Sequence, residues 1–248
     1  MKILVPFKVV PDRYAASAAA GLGGDDRWVV NPFDEIAVEE AARIKERWTA
    51  TEMIGVTIGA PQVDDQARTV LAMGADRVIR VDDDRAQQFD PYTVARVLKV
   101  VVDQVAPELV IMGKQAVDDD ANQVGQMLTG LMRWPQATFV SKIEFMDDPS
   151  GLVCTRETDD GLEMISIRLP GVITTDLRLN EPRFVSLAGL IKARRKPIDV
   201  LTCDQLKVDA QPATTVLRTT ARPQHRSAMR VDSVNELITR LREEAKVL

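Results

Sequence analysis

Strand-like and helix-like hydrophobic patterns alternate over roughly the first half of the chain, the signature of βαβ units around a parallel sheet. Nearly continuous apolar runs at 2–10, 53–58, 78–81 and 109–112 predict strands with helices on both faces. Helix starts are marked between them. Asn31-Pro32 puts an N-cap residue before a proline at the first helical position, and Asp34 and Glu35 complement the helix dipole. Asp90-Pro91 repeats the device, followed by Val94, Val97, Leu98, Val101, Val102 and Val105 at the spacing of one core-facing stripe. A third helix is predicted to begin near Asn122, with Val124, Met127, Leu128 and Leu131 inward.

The texture changes after Trp134-Pro135. Residues 139–145 and 152–169 alternate like antiparallel strands, with turns at Asp147-Asp148-Pro149 and Asp159-Asp160-Gly161. A further apolar strand at 172–177 is placed to return to the main sheet. From 197 to 230 there is little periodicity and much Pro, Thr and Arg, which predicts an extended arm. Ser233 and Glu236 form a capping box for a last helix, with Leu237, Ile238 and Leu241 inward. The expected organisation is an α/β nucleotide-binding domain over 1–196 and a C-terminal arm and helix over 197–248. Such an arm either binds another subunit or straps its own domain; the pattern leaves both open.

Composition narrows the function classes. With 248 residues, 45% of them hydrophobic, the chain can bury a full core. A net charge of −5 disfavours nucleic acid as the main partner, since phosphate binding wants a basic surface. Cys154 and Cys203, far apart, form neither a disulfide framework nor a zinc pattern. The single histidine, His225, lies in the polar run TARPQHRS and reads as a solvated loop residue, not a catalytic one. No signal-peptide pattern opens the chain, and no apolar stretch reaches about 18 residues. A soluble, intracellular protein without membrane insertion is expected.

Three segments carry candidate chemistry. Gly113, Lys114, Gln115, Ala116, Val117, Asp118, Asp119, Asp120, Ala121, Asn122, Gln123 and Val124 leave a predicted parallel strand and enter a helix, where doubly wound sheets bind ligands. The helix N-terminus suits a phosphate, with Asn122 and Gln123 as further donors. Three aspartates oppose a polyphosphate unless they face away or cap the helix; an acidic surface loop is the other reading. Asn31-Pro32-Phe33-Asp34 is either a second site segment or a staple into the core. The third segment, 176–196, places Leu187 just upstream of Lys192, Arg194, Arg195 and Lys196, a basic exception in an acidic chain. It reads as a solvated helix end or as a docking anchor, apolar contact for affinity and charge for steering. A GxxxxGK[ST] loop is absent, Gly21-Leu22-Gly23-Gly24 does not fit GxGxxG, and no Ser-rich glycine loop follows the first strand. Hydrolysis and adenylation therefore have no apparatus here.

Taken together, NPFDEIAVEEAARIKE at 31–46, LAMGADR at 71–77, GKQAVDDDANQVGQM at 113–127, WPQATF at 134–139, DLRLNEPRF at 176–184 and KARRKPIDV at 192–200 resemble the beta subunits of electron transfer flavoproteins, in order and spacing. The resemblance implies a Rossmann-like fold of the adenine nucleotide alpha hydrolase type and a heterodimer with an alpha subunit holding most of a redox-active FAD. It also implies a structural AMP contacted by Pro6, Asn31, Pro32, Phe33, Asp34, Ile58 and residues 113–124, with Phe33 near the flavin. Residues 175–196 resemble the recognition loop, with Leu187 as anchor and Arg183, Lys192, Arg194 and Arg195 as partner-binding residues. The implied donors are acyl-CoA dehydrogenases of fatty acid oxidation and other flavin dehydrogenases, the acceptor a quinone oxidoreductase. The implied location is the bacterial cytoplasm or the mitochondrial matrix. Bifurcating members hold a second FAD and carry a loop like DGDTxQVGP. Here Asp119 stands for the glycine and Gln126 for the proline, which resembles the AMP-binding, non-bifurcating group. Pro6 stands where a smaller residue is usual, and residues 13–25, including Tyr14, depart from the family pattern near the flavin.

Overall fold

Successive residues of the apolar runs face opposite sides of one sheet. Ile3 and Val5 enter one hydrophobic core while Leu4 enters the other; Met53 and Ile54, Val78 and Ile79, and Leu109 and Val110 divide the same way. This is the period of two expected of a strand buried on both faces. The computed structural model describes residues 1–12, 27–146, 151–218, 220 and 229–248. The expectations for Tyr14, the glycines at 21–24, the turn at 147–149 and His225 lie outside these residues.

Within the described residues the strands are β1 (Lys2–Pro6), β2 (Val9–Pro11), β3 (Trp28–Val30), β4 (Glu52–Ile58), β5 (Arg77–Asp82), β6 (Leu109–Gly113), β7 (Gln136–Phe145), β8 (Gly151–Thr158), β9 (Gly161–Arg168), β10 (Gly171–Thr175) and β11 (Ile198–Thr202). The α-helices are α1 (Pro32–Arg47), α2 (Asp64–Met73), α3 (Pro91–Val105), α4 (Val124–Met132), α5 (Leu187–Ala193) and α6 (Val234–Glu243). Nine strands form one sheet in the order β11-β5-β4-β1-β6-β10-β7-β8-β9. The first seven in that order are parallel to their neighbours, and β8 and β9 extend the sheet antiparallel beyond β7. Helices α1 and α2 cover one face, and α3 and α4 the other. The expected α/β class with an antiparallel addition is the observed one.

Several local expectations are corrected. The run at 2–10 is two strands, because the chain leaves the main sheet at Phe7 and pairs Val9–Pro11 antiparallel with Trp28–Val30. Asn31 occupies the N-cap position but makes no side-chain cap bond, whereas Asp90 accepts from the Thr93 amide at 2.8 Å. The segment at 197–230 is not arm throughout. Residues 198–202 pair with β5, and Cys203, Leu206 and Ala210 are buried in the core beside α3. The chain divides into two compact units, Met1–Thr214 and Thr215–Leu248. In the second unit α6 is capped by Ser233 as expected, but Leu237 and Ile238 are exposed and the helix buries none of its residues. A short segment has no core of its own against which to turn them inward.

Candidate functional site

The sheet changes direction of winding between β1 and β6: the chain passes from β1 to β4 on one side, and β6 lies on the other. Ligands of open α/β sheets bind outside the carboxyl ends of the strands at such a point. A crevice of about 250 Å³ opens there, lined by the ends of β1, β4 and β6, by most of residues 113–124 and by the segment leading into α3.

The crevice floor is laced by one buried carboxylate. Asp34, on the first turn of α1, accepts from the Lys8 amide at 2.8 Å and from Asn31 Nδ2 at 3.0 Å on one oxygen. Its other oxygen accepts from the Gly113 amide at 2.8 Å. A single side chain thus joins the end of β1, the start of α1 and the end of β6. Burial pushes its pKa up to about 6, and the donors from Lys8, Asn31 and Gly113 only partly counter this. Asn31 also binds the loop, and none of the helix amides: Nδ2 donates to Gln115 O at 2.9 Å, and Oδ1 accepts from the Val117 amide at 3.2 Å. Gly113 must be glycine by space, since a Cβ would lie 2.5 Å from Asp34 Oδ1 and 2.8 Å from the Phe33 carbonyl carbon.

At the mouth, Lys8 Nζ pairs with Asp118 at 2.7 Å and with Asp119 at 3.1 Å. Burial works against the ammonium, but the two carboxylates outweigh it and its pKa is raised. The remaining acid is bonded within the loop: Asp119 accepts from the Ala121 amide and Asp120 from Gln115 Nε2. Each acid of the run thus has a partner within the chain, and Lys8 offsets part of its charge. Asp120 and Asn122 take left-handed backbone conformations, φ 50° and 49°, as the chain turns into α4. That helix opens at Gln123 without a side-chain cap, and Asn122, Gln123 and Val124 line the crevice. Uncapped first-turn amides and the dipole make an anion seat. Val56, Ile58, Val63, Phe89, Val94 and Leu98 also line the crevice and supply an apolar wall. The arrangement can seat a small ligand with a flat apolar part and one anionic end. Among the described residues no three His, Cys, Asp or Glu side chains gather to hold a metal.

Of the residues singled out by sequence, Pro6, Asn31, Asp34, Ile58, Gly113, Lys114, Gln115, Ala116, Asp118, Asp119, Ala121, Asn122, Gln123 and Val124 line the crevice. Pro32, Phe33, Val117 and Asp120 do not. Phe33 is buried and its ring lies 5.3 Å from Lys114 Nζ, which also pairs with Asp176 at 2.8 Å and faces Phe139. Lys8 and the wall from Phe89 to Leu98 were missed; a lysine interrupting an apolar run was the available signal for the first. In the third segment Leu187 is 74% exposed, and Lys192, Arg194 and Arg195 are exposed beside it. Arg183 is engaged within the chain, with Glu39 at 2.7 Å and Glu46 at 2.5 Å. Lys196 caps α2 through Leu71 O and Ala75 O.

The geometry is that of a doubly wound α/β protein with a crevice at its switch point. A model described as "Electron transfer flavoprotein domain" matches residues 24–206. The electron transfer flavoprotein subunit beta, mitochondrial, of Arabidopsis thaliana is 47% identical, with both chains covered in full. The corresponding beta subunit of Bradyrhizobium diazoefficiens is 45% identical, again over both full lengths, and that of Homo sapiens 41% over 98% of this chain and 93% of its own. The chain belongs to the electron transfer flavoprotein family and, within it, to the beta subunits. No described helix is long and apolar enough to cross a membrane.

Proposed function

We propose that this chain is the AMP-holding beta subunit of a heterodimeric, non-bifurcating electron transfer flavoprotein. The observation that carries the reading is the crevice itself: an uncapped helix N-terminus and an apolar wall line one space suited to a nucleoside monophosphate. Asn122, Gln123 and Val124 would hold the phosphate and the wall from Val56 to Leu98 the base. Lys8, by pairing with Asp118 and Asp119, reduces the repulsion that the loop would otherwise exert on the anion. With an alpha subunit, the chain would support a FAD, which supplies the one-electron chemistry. No residue here need transfer a proton.

The exposed Leu187, set beside Lys192, Arg194 and Arg195, supports docking of acyl-CoA and other flavin dehydrogenases as donors, a quinone oxidoreductase being the acceptor. The test is nucleotide content, by denaturing the complex purified with its alpha subunit and quantifying released AMP and FAD. One of each per dimer supports the reading. Two FAD and no AMP would place the chain with the bifurcating members and overturn the significance given to Asp119 and Gln126.

A further inference from the structure

After a turn at 176–179, residues 180–186 run as a strap without helix or strand, and three polar anchors fasten it to α1. Asn180 Nδ2 donates to Ile36 O at 3.1 Å and to Glu40 Oε2 at 3.0 Å. Arg43 Nη2 donates to Glu181 O at 3.1 Å. Arg183 completes the set: its Nε and Nη2 fork onto Glu39 at 2.7 and 3.2 Å, its backbone amide adds a bond at 3.2 Å, and Nη1 reaches Glu46 at 2.5 Å. Glu39 is buried, its side chain 3% exposed, and it also accepts from Arg43 at 2.6 Å. A buried carboxylate with two guanidinium partners is a fixed point, because breaking either pair leaves a charge uncompensated away from water.

The residue next to this fixed point is Phe184, fully exposed, and Leu187 follows at 74% and Ile191 at 55% exposure. An apolar ridge presented to solvent directly after a clamp is held in place before anything binds it. We propose that Arg183 is a positioning residue for donor docking: with Glu39 it fixes the strap so that the Phe184–Leu187 ridge is preorganised, and it does not itself touch the donor. Ordering the segment in the free protein removes that cost from the association step, so the clamp acts on affinity and leaves electron transfer within the docked complex untouched. This inference rests on the docking reading of Leu187 given above.

The experiment is steady-state reduction of the heterodimer by an acyl-CoA dehydrogenase, comparing wild type with Arg183→Met, Glu39→Gln, both together, and Leu187→Ala, each checked for unchanged AMP and FAD content. Glu39 is buried and cannot reach a donor, so it separates positioning from contact. The expected result is a KM for the flavoprotein raised about tenfold in each clamp variant, equal to about 1.4 kcal/mol, with kcat unchanged. The double variant should be no worse than either single, as expected for one shared interaction. Amide exchange over 180–186 should speed up in both singles. Should a core variant fail to fold, Glu46→Gln loosens the same guanidinium from its exposed side, with an expected KM rise of about two- to threefold. A raised KM for Arg183→Met with a normal one for Glu39→Gln would mean that the arginine contacts the donor, which overturns the proposal. If Leu187→Ala raises KM and neither clamp variant does, positioning is refuted and docking stands. If all three are normal, the docking reading fails and the proposal falls with it.

Discussion

Asp34 carries a carboxylate where charge is disfavoured, which gives the protein a pH dependence of defined sign. Its side chain is buried, and its pKa moves from 3.8 to about 6. A folded-state pKa above the unfolded one means that the native state binds the extra proton between these values. The associated stability is complete below the unfolded pKa and is lost as pH rises through the folded one. At 1.36 kcal/mol per pH unit the whole effect is about 3 kcal/mol, and acidifying from about pH 8 to about pH 5.5 should recover roughly 0.8 kcal/mol of it. Asp34→Asn keeps the shape and abolishes the titration. The assay is urea unfolding of wild type and Asp34→Asn at the two pH values, with partner and nucleotide content matched. Titration of all other groups cancels in the difference. Wild type should gain stability relative to the variant on acidification. Parallel behaviour, or a relative loss, would show that the amides of Lys8 and Gly113 and the side chain of Asn31 outweigh burial, and would refute the reasoning.

Two other substitutions probe the scaffold of the crevice. Gly113→Ala forces a methyl against Asp34 and the backbone of Phe33, neither of which can yield easily. It should cost about 1–3 kcal/mol of stability and reduce bound nucleotide, an expectation sunk by an unchanged urea midpoint. Asp90→Ala removes the cap of α3 and the link to the Thr214 amide at 2.8 Å, for a loss of about 1 kcal/mol by thermal melting. Burial opposes ionisation of Asp90, but Thr93 and Thr214 hold its pKa down to about 2. The contribution is therefore present above the ordinary carboxylate range and lost as pH falls through the folded value, so the variant should melt with less acid sensitivity.

The local sequence determined which segments fold as what. Period-two and helical-period stripes, the prolines after Asn31 and Asp90, and the turn at 159–161 specify their elements through interactions a few residues apart. The candidate loop at 113–124 was legible for the same reason: strand, polar loop and helix start are contiguous. What only the tertiary structure decided involves partners far apart in sequence. Nothing near residue 198 announces that it will pair with β5, or that β10 will lie between β6 and β7, because strand pairing is settled by which buried face is left to cover. Asn31 looks like an ordinary cap until the loop more than eighty residues away brings Gln115 and Val117 within reach. Arg183 stands in sequence among the partner-binding residues that the resemblance implies, and only the fold sets it against Glu39. The sequence states which groups want partners; only chain packing, which brings distant donors and buried carboxylates together, decides which partners they find.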